Sequence, residues 1–232
     1  MTDEAKRAAG EAAADLVEPG MRLGLGTGST VAYFLDALAG RGVEVAGVPT
    51  SDATAARCGE LGIPLLDLAE VHELDLCVDG ADELDPELNL TKGGGGALLR
   101  EKVVASLATR FVVIATVDKQ VLRLGDTFPL PIEVVPFAVA PVVRALEERH
   151  AEPVVRDGGR YRTDNGNAVI DVRFPGGIED PAVLDVTLTL LPGVVTSGLF
   201  IDLADLALLG DAQGAVTQLS PPTEDRAAAT AS

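Results

Sequence analysis

The chain has 232 residues, 47% of them hydrophobic and 23% charged, so it can bury a substantial core as one large domain or two small ones. Its formal net charge of −18 repels the phosphates of nucleic acids and of anionic membranes, which argues against both classes of partner. With no signal-like N-terminus, no apolar run of membrane-spanning length, and two cysteines (Cys58, Cys77) expected to be buried free thiols, we expect a cytoplasmic protein.

Strands and helices alternate through the first half of the chain. An Ala-rich helix at about 3–17 stops at Pro19-Gly20. Strands are predicted at 22–26, 43–49, 64–66 and 74–78, and helices at about 31–39 and 52–61. This order is typical of βαβ units, so we expect an α/β fold with a Rossmann-like, mainly parallel sheet and helices on both faces. Ligands of such sheets bind beyond the carboxyl ends of the strands.

The first strand runs into a glycine-rich turn, Gly24-Leu25-Gly26-Thr27-Gly28-Ser29-Thr30. A dinucleotide fingerprint would need glycine at position 29, and a P-loop would need Gly-Lys-Ser/Thr, so neither motif is present. Backbone N–H groups at the start of the next helix, with the hydroxyls of Thr27, Ser29 and Thr30, could instead hold one phosphate. The alternative is a helix capped by Ser29 or Thr30, and this segment alone does not decide between them.

Acidic residues follow the strand at 74–78, in the segment Asp79-Gly80-Ala81-Asp82-Glu83. About 17 residues separate this strand from the next predicted helix, which is long for such a connection and indicates a functional segment. Considered alone, these acids are a helix cap and solvated charges. Beside a base and a cation, Asp79 and Asp82 become candidates for orienting sugar hydroxyls or passing protons during ring opening.

The segment Lys92-Gly93-Gly94-Gly95-Gly96 leads into a predicted helix that carries Glu101 about one turn from its start. A carboxylate and an ammonium would then face each other across glycine backbone, which suits proton transfer on a sugar phosphate. The alternative is a surface hinge followed by a solvated charge cluster. The chain has only four lysines against fourteen arginines, and three of the four lie between residues 92 and 119, which favours chemistry.

A buried strand at 111–115 ends near Asp118-Lys119, so a third strand end is expected at the same site. Residues 130–201 then read strand, helix, strand, strand, helix, strand, the pattern of a ferredoxin-like α+β subdomain. We therefore predict a catalytic α/β domain at 1–129, to which 202–213 returns, and a smaller subdomain at 130–201. The composition from about Gly214 onward predicts a disordered tail at 214–232.

Three of these segments, in this order and spacing, resemble the A type of ribose-5-phosphate isomerase: Gly24–Thr30, Asp79–Glu83 and Lys92–Lys102. The resemblance implies a homo-oligomer, homodimer or homotetramer, that interconverts D-ribose 5-phosphate and D-ribulose 5-phosphate in the non-oxidative pentose phosphate pathway without cofactor or metal. It implies that Glu101 is the catalytic base. It also assigns the following substrate-binding or catalytic positions: Thr27, Gly28, Ser29, Thr30, Asp79, Gly80, Ala81, Asp82, Lys92, Gly93, Gly94, Gly95 and Lys119.

One segment departs from the family pattern, which usually reads Ala-Asp-x-Ser-Lys where this chain has Ala115-Thr116-Val117-Asp118-Lys119. Lys119 is kept, whereas the acid has moved, so the contacts around Thr116 and Asp118 are not implied by the resemblance.

The expected mechanism uses Glu101 as a base kept ionised by the helix N-terminus and nearby lysines, with Lys92 stabilising the oxyanion and Asp79 and Asp82 assisting ring opening. Two other functions stay open. One is a sugar-phosphate sensor without catalysis, although the acidic chain shows no DNA-binding helix pair. The other is an aldolase-type reaction through a Schiff base on Lys92.

Overall fold

The computed structural model describes residues 2–222. The helices are α1 (Asp3–Ala14), α2 (Ser29–Arg41), α3 (Asp52–Leu61), α4 (Leu98–Ser106), α5 (Val139–Glu147) and α6 (Pro181–Thr189). The strands are β1 (Arg22–Leu25), β2 (Ala46–Pro49), β3 (Leu76–Asp79), β4 (Glu83–Leu84), β5 (Leu90–Thr91), β6 (Phe111–Thr116), β7 (Leu130–Val134), β8 (Glu152–Val155), β9 (Ala168–Arg173), β10 (Val194–Ser197), β11 (Leu199–Phe200), β12 (Leu206–Gly210) and β13 (Val216–Leu219). None of the described helices has both the length and the apolar character required to cross a bilayer.

The central sheet has six strands in the order β13-β12-β6-β3-β1-β2. The five strands from β12 to β2 are parallel, and only β13 pairs antiparallel, at the edge beside β12. The chain leaves β1 toward β2 on one side, whereas β3 is followed by β6 on the other side. The carboxyl ends of β1 and β3 therefore form a topological switch point, the place where open α/β sheets bind ligands.

Buried side chains alternate between the two faces of this sheet, as the pleat requires. Val78 and Ile114 face a core that includes α1 and α2, whereas Cys77 and Val113 face a second core that includes α4. The prediction of a mainly parallel sheet with helices on both faces is confirmed. Both cysteines are buried free thiols, also as predicted.

The segment from β7 to β10, here called the ferredoxin-like unit, forms a separate antiparallel sheet in the order β10-β7-β9-β8. Its helices are α5 and α6, and its own core contains residues from β7, β9 and both helices. The predicted βαββαβ order is therefore present, with the strand order expected of a ferredoxin-like fold. After this unit, β12 returns to the central sheet beside β6.

Three expectations about local structure need correction. The predicted strand at 64–66 is reduced to a single bridge between Gly47 and Leu65. The long connection after β3 contains β4 and β5, which pair with each other, and β5 also pairs with β11 in a three-stranded sheet. The last strand expected within 130–201 is therefore divided between two sheets, as β10 and β11.

The predicted disordered tail from Gly214 is wrong where the structure describes it, because residues 216–219 form β13 against β12. An edge strand gains its hydrogen bonds from its neighbour, so a polar composition did not prevent pairing. The rest of that prediction, residues 223–232, lies outside the described residues.

Candidate active site

The glycine turn after β1 ends in a helix N-terminus that no side chain occupies. Gly28 is the N-cap of α2 and has a φ of 120°, a backbone conformation that residues other than glycine rarely adopt. There is no side-chain cap, so the alternative in which Ser29 or Thr30 caps the helix is wrong. The first N–H groups of α2 and the hydroxyls of Ser29 and Thr30 can therefore bind an anion such as phosphate.

Thr27 contributes differently from the expectation. Its hydroxyl lies 2.7 Å from Thr50 Oγ1 and 2.8 Å from Ser51 Oγ, within a cluster that also includes Thr54. Its backbone N–H donates to Asp79 Oδ1 at 2.9 Å. Thr27 therefore joins the end of β1 to the end of β3 and its hydroxyl is engaged within the protein.

The acids after β3 occupy distinct positions. Asp79 is buried, and Oδ1 also accepts a hydrogen bond from the N–H of Gly80 at 2.7 Å. Asp82 accepts one from the N–H of Gly94 at 2.8 Å. Burial raises the pKa of Asp82, and this hydrogen bond opposes the rise. Glu83 faces away from the pocket and accepts hydrogen bonds from the backbone of residues 125, 127 and 128.

The glycine loop, residues 93–96, needs glycine for its shape. Gly93 has φ of 104° and Gly96 has φ of 84°, conformations that are strained for residues with a Cβ. The loop leads into α4, whose N-cap, Ala97, provides no side-chain hydrogen bond. Glu101 lies in the first turn of this helix, as predicted.

Lys92 joins two carboxylates in the interior of the protein. Its Nζ lies 3.1 Å from Asp79 Oδ2 and 3.3 Å from Glu101 Oε2, and it donates to the carbonyl of Gly80 at 2.6 Å. Lys92 is 2% exposed and Glu101 is 5% exposed. The alternative of a solvated charge cluster after the glycines is therefore wrong for Glu101. Asp79 Oδ2 and Glu101 Oε2 each lie at ion-pair distance from Nζ, and neither has a well-aligned hydrogen bond to a residue that the structure describes.

The charges of this trio explain its pKa shifts. Burial raises the pKa of Glu101 to about 8, and the charge of Asp79 adds to the rise, which Lys92 opposes. Burial alone would lower the pKa of Lys92, but Asp79 and Glu101 raise it above its ordinary value. The expectation that the helix N-terminus and the lysines fully offset the burial of Glu101 is not met, because two carboxylates share one ammonium.

A single pocket brings together the strand ends, the glycine loop and the start of α4. The predicted residues that line it are Thr27, Gly28, Ser29, Thr30, Gly80, Ala81, Asp82, Lys92, Gly93, Gly94, Gly95, Glu101 and Lys119. Asp79 lies behind this wall, against Lys92.

Sequence reasoning missed three residues that line the same pocket: Lys6, Ala115 and Thr116. Lys6 lies on α1, which packs beside β6 and β12. The rarity of lysine could have indicated it, because three of the chain's four lysines line the pocket. Thr116 ends β6, and its buried Oγ1 has no hydrogen-bond partner among residues 2–222, whereas Asp118 is exposed.

Comparisons with known proteins agree on one family. The model of the family "Ribose 5-phosphate isomerase A (phosphoriboisomerase A)" matches residues 46–214. Ribose-5-phosphate isomerase A of Caulobacter vibrioides is 54% identical over 227 residues, which cover 94% of this chain and 99% of that protein.

Solved structures show the same likeness. The crystal structure of ribose 5-phosphate isomerase A from Neisseria gonorrhoeae superimposes with a TM-score of 0.91 at 38% identity, covering 96% of this chain and 98% of that one. A D-ribose-5-phosphate isomerase in complex with phospho-erythronic acid gives a TM-score of 0.89 at 40% identity, covering 93% and 97% of the two chains. Since the family model matches most of the chain and the likeness in sequence and structure extends almost from end to end, the chain belongs to the ribose 5-phosphate isomerase A family.

Proposed function

We propose that Glu101 is the acid–base group with which this chain interconverts D-ribose 5-phosphate and D-ribulose 5-phosphate. This aldose–ketose isomerisation is the activity of the family, and the pathway that the family implies is the non-oxidative pentose phosphate pathway. The observation that carries the proposal is a buried carboxylate, 3.3 Å from a buried ammonium, in the wall of a pocket with an uncapped helix N-terminus.

One carboxylate can perform both proton transfers on carbon. Glu101 removes the proton from C2 of the open-chain aldose, which gives an enediolate. It then returns that proton to C1, while the proton of the O2 hydroxyl moves to O1, so the ketose forms with no net gain or loss of protons. The raised pKa of Glu101 suits this role, because a group near neutral pKa can both take and return a proton at working pH.

The remaining pocket residues divide between the two ends of the substrate. The N-terminus of α2, with Ser29 and Thr30, and the side chains of Lys6 and Lys119 supply donors and positive charge for the phosphate. At the other end, Asp82 and the N–H of Gly95 are available to the sugar hydroxyls. We assign Asp82, which lines the pocket, and Asp79 to ring opening. Asp79 takes part through its contact with Lys92.

Lys92 lies where negative charge would develop on the enediolate. Stabilisation of such an oxyanion by one positioned donor is worth roughly 3–4 kcal/mol. The same surroundings argue against a Schiff base on Lys92, because a nucleophilic amine must be unprotonated and the adjacent carboxylates raise the pKa of Lys92.

We also infer that the chain acts as a homo-oligomer in the cytoplasm. Unpaired buried cysteines are consistent with a reducing compartment. An apolar groove in the ferredoxin-like unit, beside the exposed ring of Phe137, supports self-association, and its test is given in the Discussion.

The acid–base role is tested with Glu101→Gln, which keeps the size of the side chain and removes its basicity. We expect turnover of ribose 5-phosphate to fall at least 100-fold, because positioned acid–base groups usually contribute ~10²–10⁴-fold. The assay follows formation of ribulose 5-phosphate in excess EDTA without added cofactor. Glu87→Gln, at an exposed position, is the matched control and should leave turnover unchanged. Retention of more than about a tenth of the wild-type rate by Glu101→Gln would show that another group is the base.

A further inference from the structure

The carbonyl groups of the glycine loop are bound by two side chains of the ferredoxin-like unit. The guanidinium of Arg156 donates to the carbonyl of Gly93 from both Nη1 and Nη2 at 3.2 Å, and from Nη1 to the carbonyl of Gly94 at 3.3 Å. The hydroxyl of Tyr161 donates to the carbonyl of Gly95 at 3.2 Å. Three consecutive peptide carbonyls of the active-site loop are thus held from outside the central sheet.

The peptide plane carries this constraint to the pocket side of the loop. Because C=O and N–H of one trans peptide point in opposite directions, fixing a carbonyl also fixes the N–H that follows it. The peptide between Gly93 and Gly94 shows this, since its carbonyl accepts from Arg156 and its N–H donates to Asp82 at 2.8 Å. By the same rule the N–H of Gly95 points away from Arg156, and no acceptor for it occurs within residues 2–222.

Arg156 and Tyr161 are themselves held in place. Arg156 forms a forked ion pair with Asp171 on β9, with Nε 2.8 Å from Oδ2. Its guanidinium lies 5.2 Å from the centre of the Tyr161 ring. Tyr161 is in direct contact with the loop, because a Cβ added at Gly96 would collide with its hydroxyl. Arg156 and Tyr161 therefore hold the carbonyl groups of the glycine loop in fixed positions.

We propose that Arg156 and Tyr161 are positioning residues for the isomerisation: they hold the glycine loop so that the N–H of Gly95 meets the reacting end of the substrate and Asp82 keeps its orientation. This inference rests on the proposed function, since it concerns the same pocket. The ferredoxin-like unit then contributes to catalysis through the loop, without touching the substrate.

The test compares two variants. Tyr161→Phe keeps the ring and removes only the hydroxyl, whereas Arg156→Met removes the hydrogen bonds of the guanidinium to the loop carbonyls and its ion pair with Asp171. We expect kcat to fall several-fold in the first variant and about 10-fold or more in the second, less than the roughly 10²-fold loss of an oxyanion donor itself. KM should change less than kcat. Inhibition by phospho-erythronic acid, which carries a carboxylate and a phosphate, should weaken by a similar factor in each variant, whereas inhibition by inorganic phosphate should not change.

Arg160→Gln is the matched control, because Arg160 is exposed in the same segment and pairs with Asp157 alone. This variant should leave kcat, KM and the inhibition constants of phospho-erythronic acid and inorganic phosphate unchanged. Unaltered kcat in both test variants would overturn the inference. So would a lower kcat with unchanged inhibition by phospho-erythronic acid, since a smaller folded fraction gives that result. A failure of the proposed function is seen separately, as absent wild-type turnover or an active Glu101→Gln variant.

Discussion

Two carboxylates and one ammonium, all buried, set the chemistry of the site at the level of single residues. If Asp79, Lys92 and Glu101 were all charged, the trio would carry one net negative charge in a medium that solvates it poorly. One carboxyl group is therefore favoured to hold a proton. Burial and the charge of Asp79 raise the pKa of Glu101, so the proton is favoured on Glu101.

This arrangement predicts how activity depends on pH. If Glu101 is the base, as we propose, it must be ionised to act; because its pKa in the free enzyme is raised to about 8, kcat/KM should increase with pH up to about 8 and then level off. Asp79→Asn removes a negative charge that raises the pKa of Glu101, so the rise should move to lower pH even where the maximal rate falls. The profile is measured with ribose 5-phosphate between about pH 5 and about pH 9.5, a range that covers the expected pKa and its shift to lower pH.

Asp118→Asn is the control for that shift, because it removes the same charge from an exposed position close to Lys119. Its profile should overlie that of the wild type. An acid limb that does not move in Asp79→Asn, or that moves to higher pH, would contradict the charge sharing described for the trio.

At the scale of elements, the parallel sheet explains why residues so distant in sequence meet. The carboxyl ends of β1, β3 and β6 share one edge, which brings Thr27, Asp79 and Lys119 into one neighbourhood. The residue that follows β1 lies so close to the end of β3 that there is no space for a side chain. A Cβ at Gly26 would collide with the carboxyl group and the Cα of Asp79.

Gly26→Ala should therefore displace Asp79 and lower both stability and turnover. We expect a loss of roughly 1–3 kcal/mol in the free energy of unfolding, as for overpacked cores, and at least a tenfold loss of kcat. Gly59→Ala is the matched control, since Gly59 lies in α3 with open space around its Cα. There the change should stabilise the protein by ~0.5–1 kcal/mol without affecting kcat. Urea unfolding and steady-state kinetics measure both, and equal stability of the two variants would contradict the packing argument.

The elements also show what sequence could and could not predict. Hydrophobic periodicity and the positions of Pro and Gly predicted α3 to the residue and most other helices to within a few positions. Strands of two residues such as β4 and β5 have no periodicity to detect, and β13 depends on its partner β12. The strand-end rule brought the segments after β1, β3 and β6 to one pocket, lined by residues such as Asp82 and Lys119. Arg156 and Tyr161, in contrast, reach the glycine loop only through the packing of a separate sheet.

At the scale of the whole molecule, the negative net charge of the chain disfavours binding of an anionic sugar phosphate. A net charge of −18 repels a sugar phosphate over long distances, although salt screens this repulsion beyond about 10 Å. Binding therefore depends on cations collected locally. Lys6, Lys92 and Lys119 come from three distant segments to one pocket, and the N-terminus of α2 adds N–H groups to them.

The surface of the ferredoxin-like unit carries an apolar groove lined by residues such as Val142, Leu191 and Pro192. Phe137, at its edge, is 95% exposed. A projecting ring beside a groove of similar character is self-complementary under twofold symmetry, because each copy can offer its ring to the groove of the other. Leaving this apolar surface in water is unfavourable, so we expect this face to be buried between two copies of the chain.

Phe137→Asp should accordingly dissociate the oligomer, because it would place a charge in the apolar centre of the contact, where charged residues are depleted. Sedimentation equilibrium of the purified proteins at several concentrations measures the masses. Leu122→Asp is the matched control, since Leu122 is 91% exposed and lies apart from the groove, and it should leave the mass unchanged. A wild-type chain that sediments as a monomer at every concentration would refute self-association. An oligomer that survives Phe137→Asp would show that the copies meet through another face.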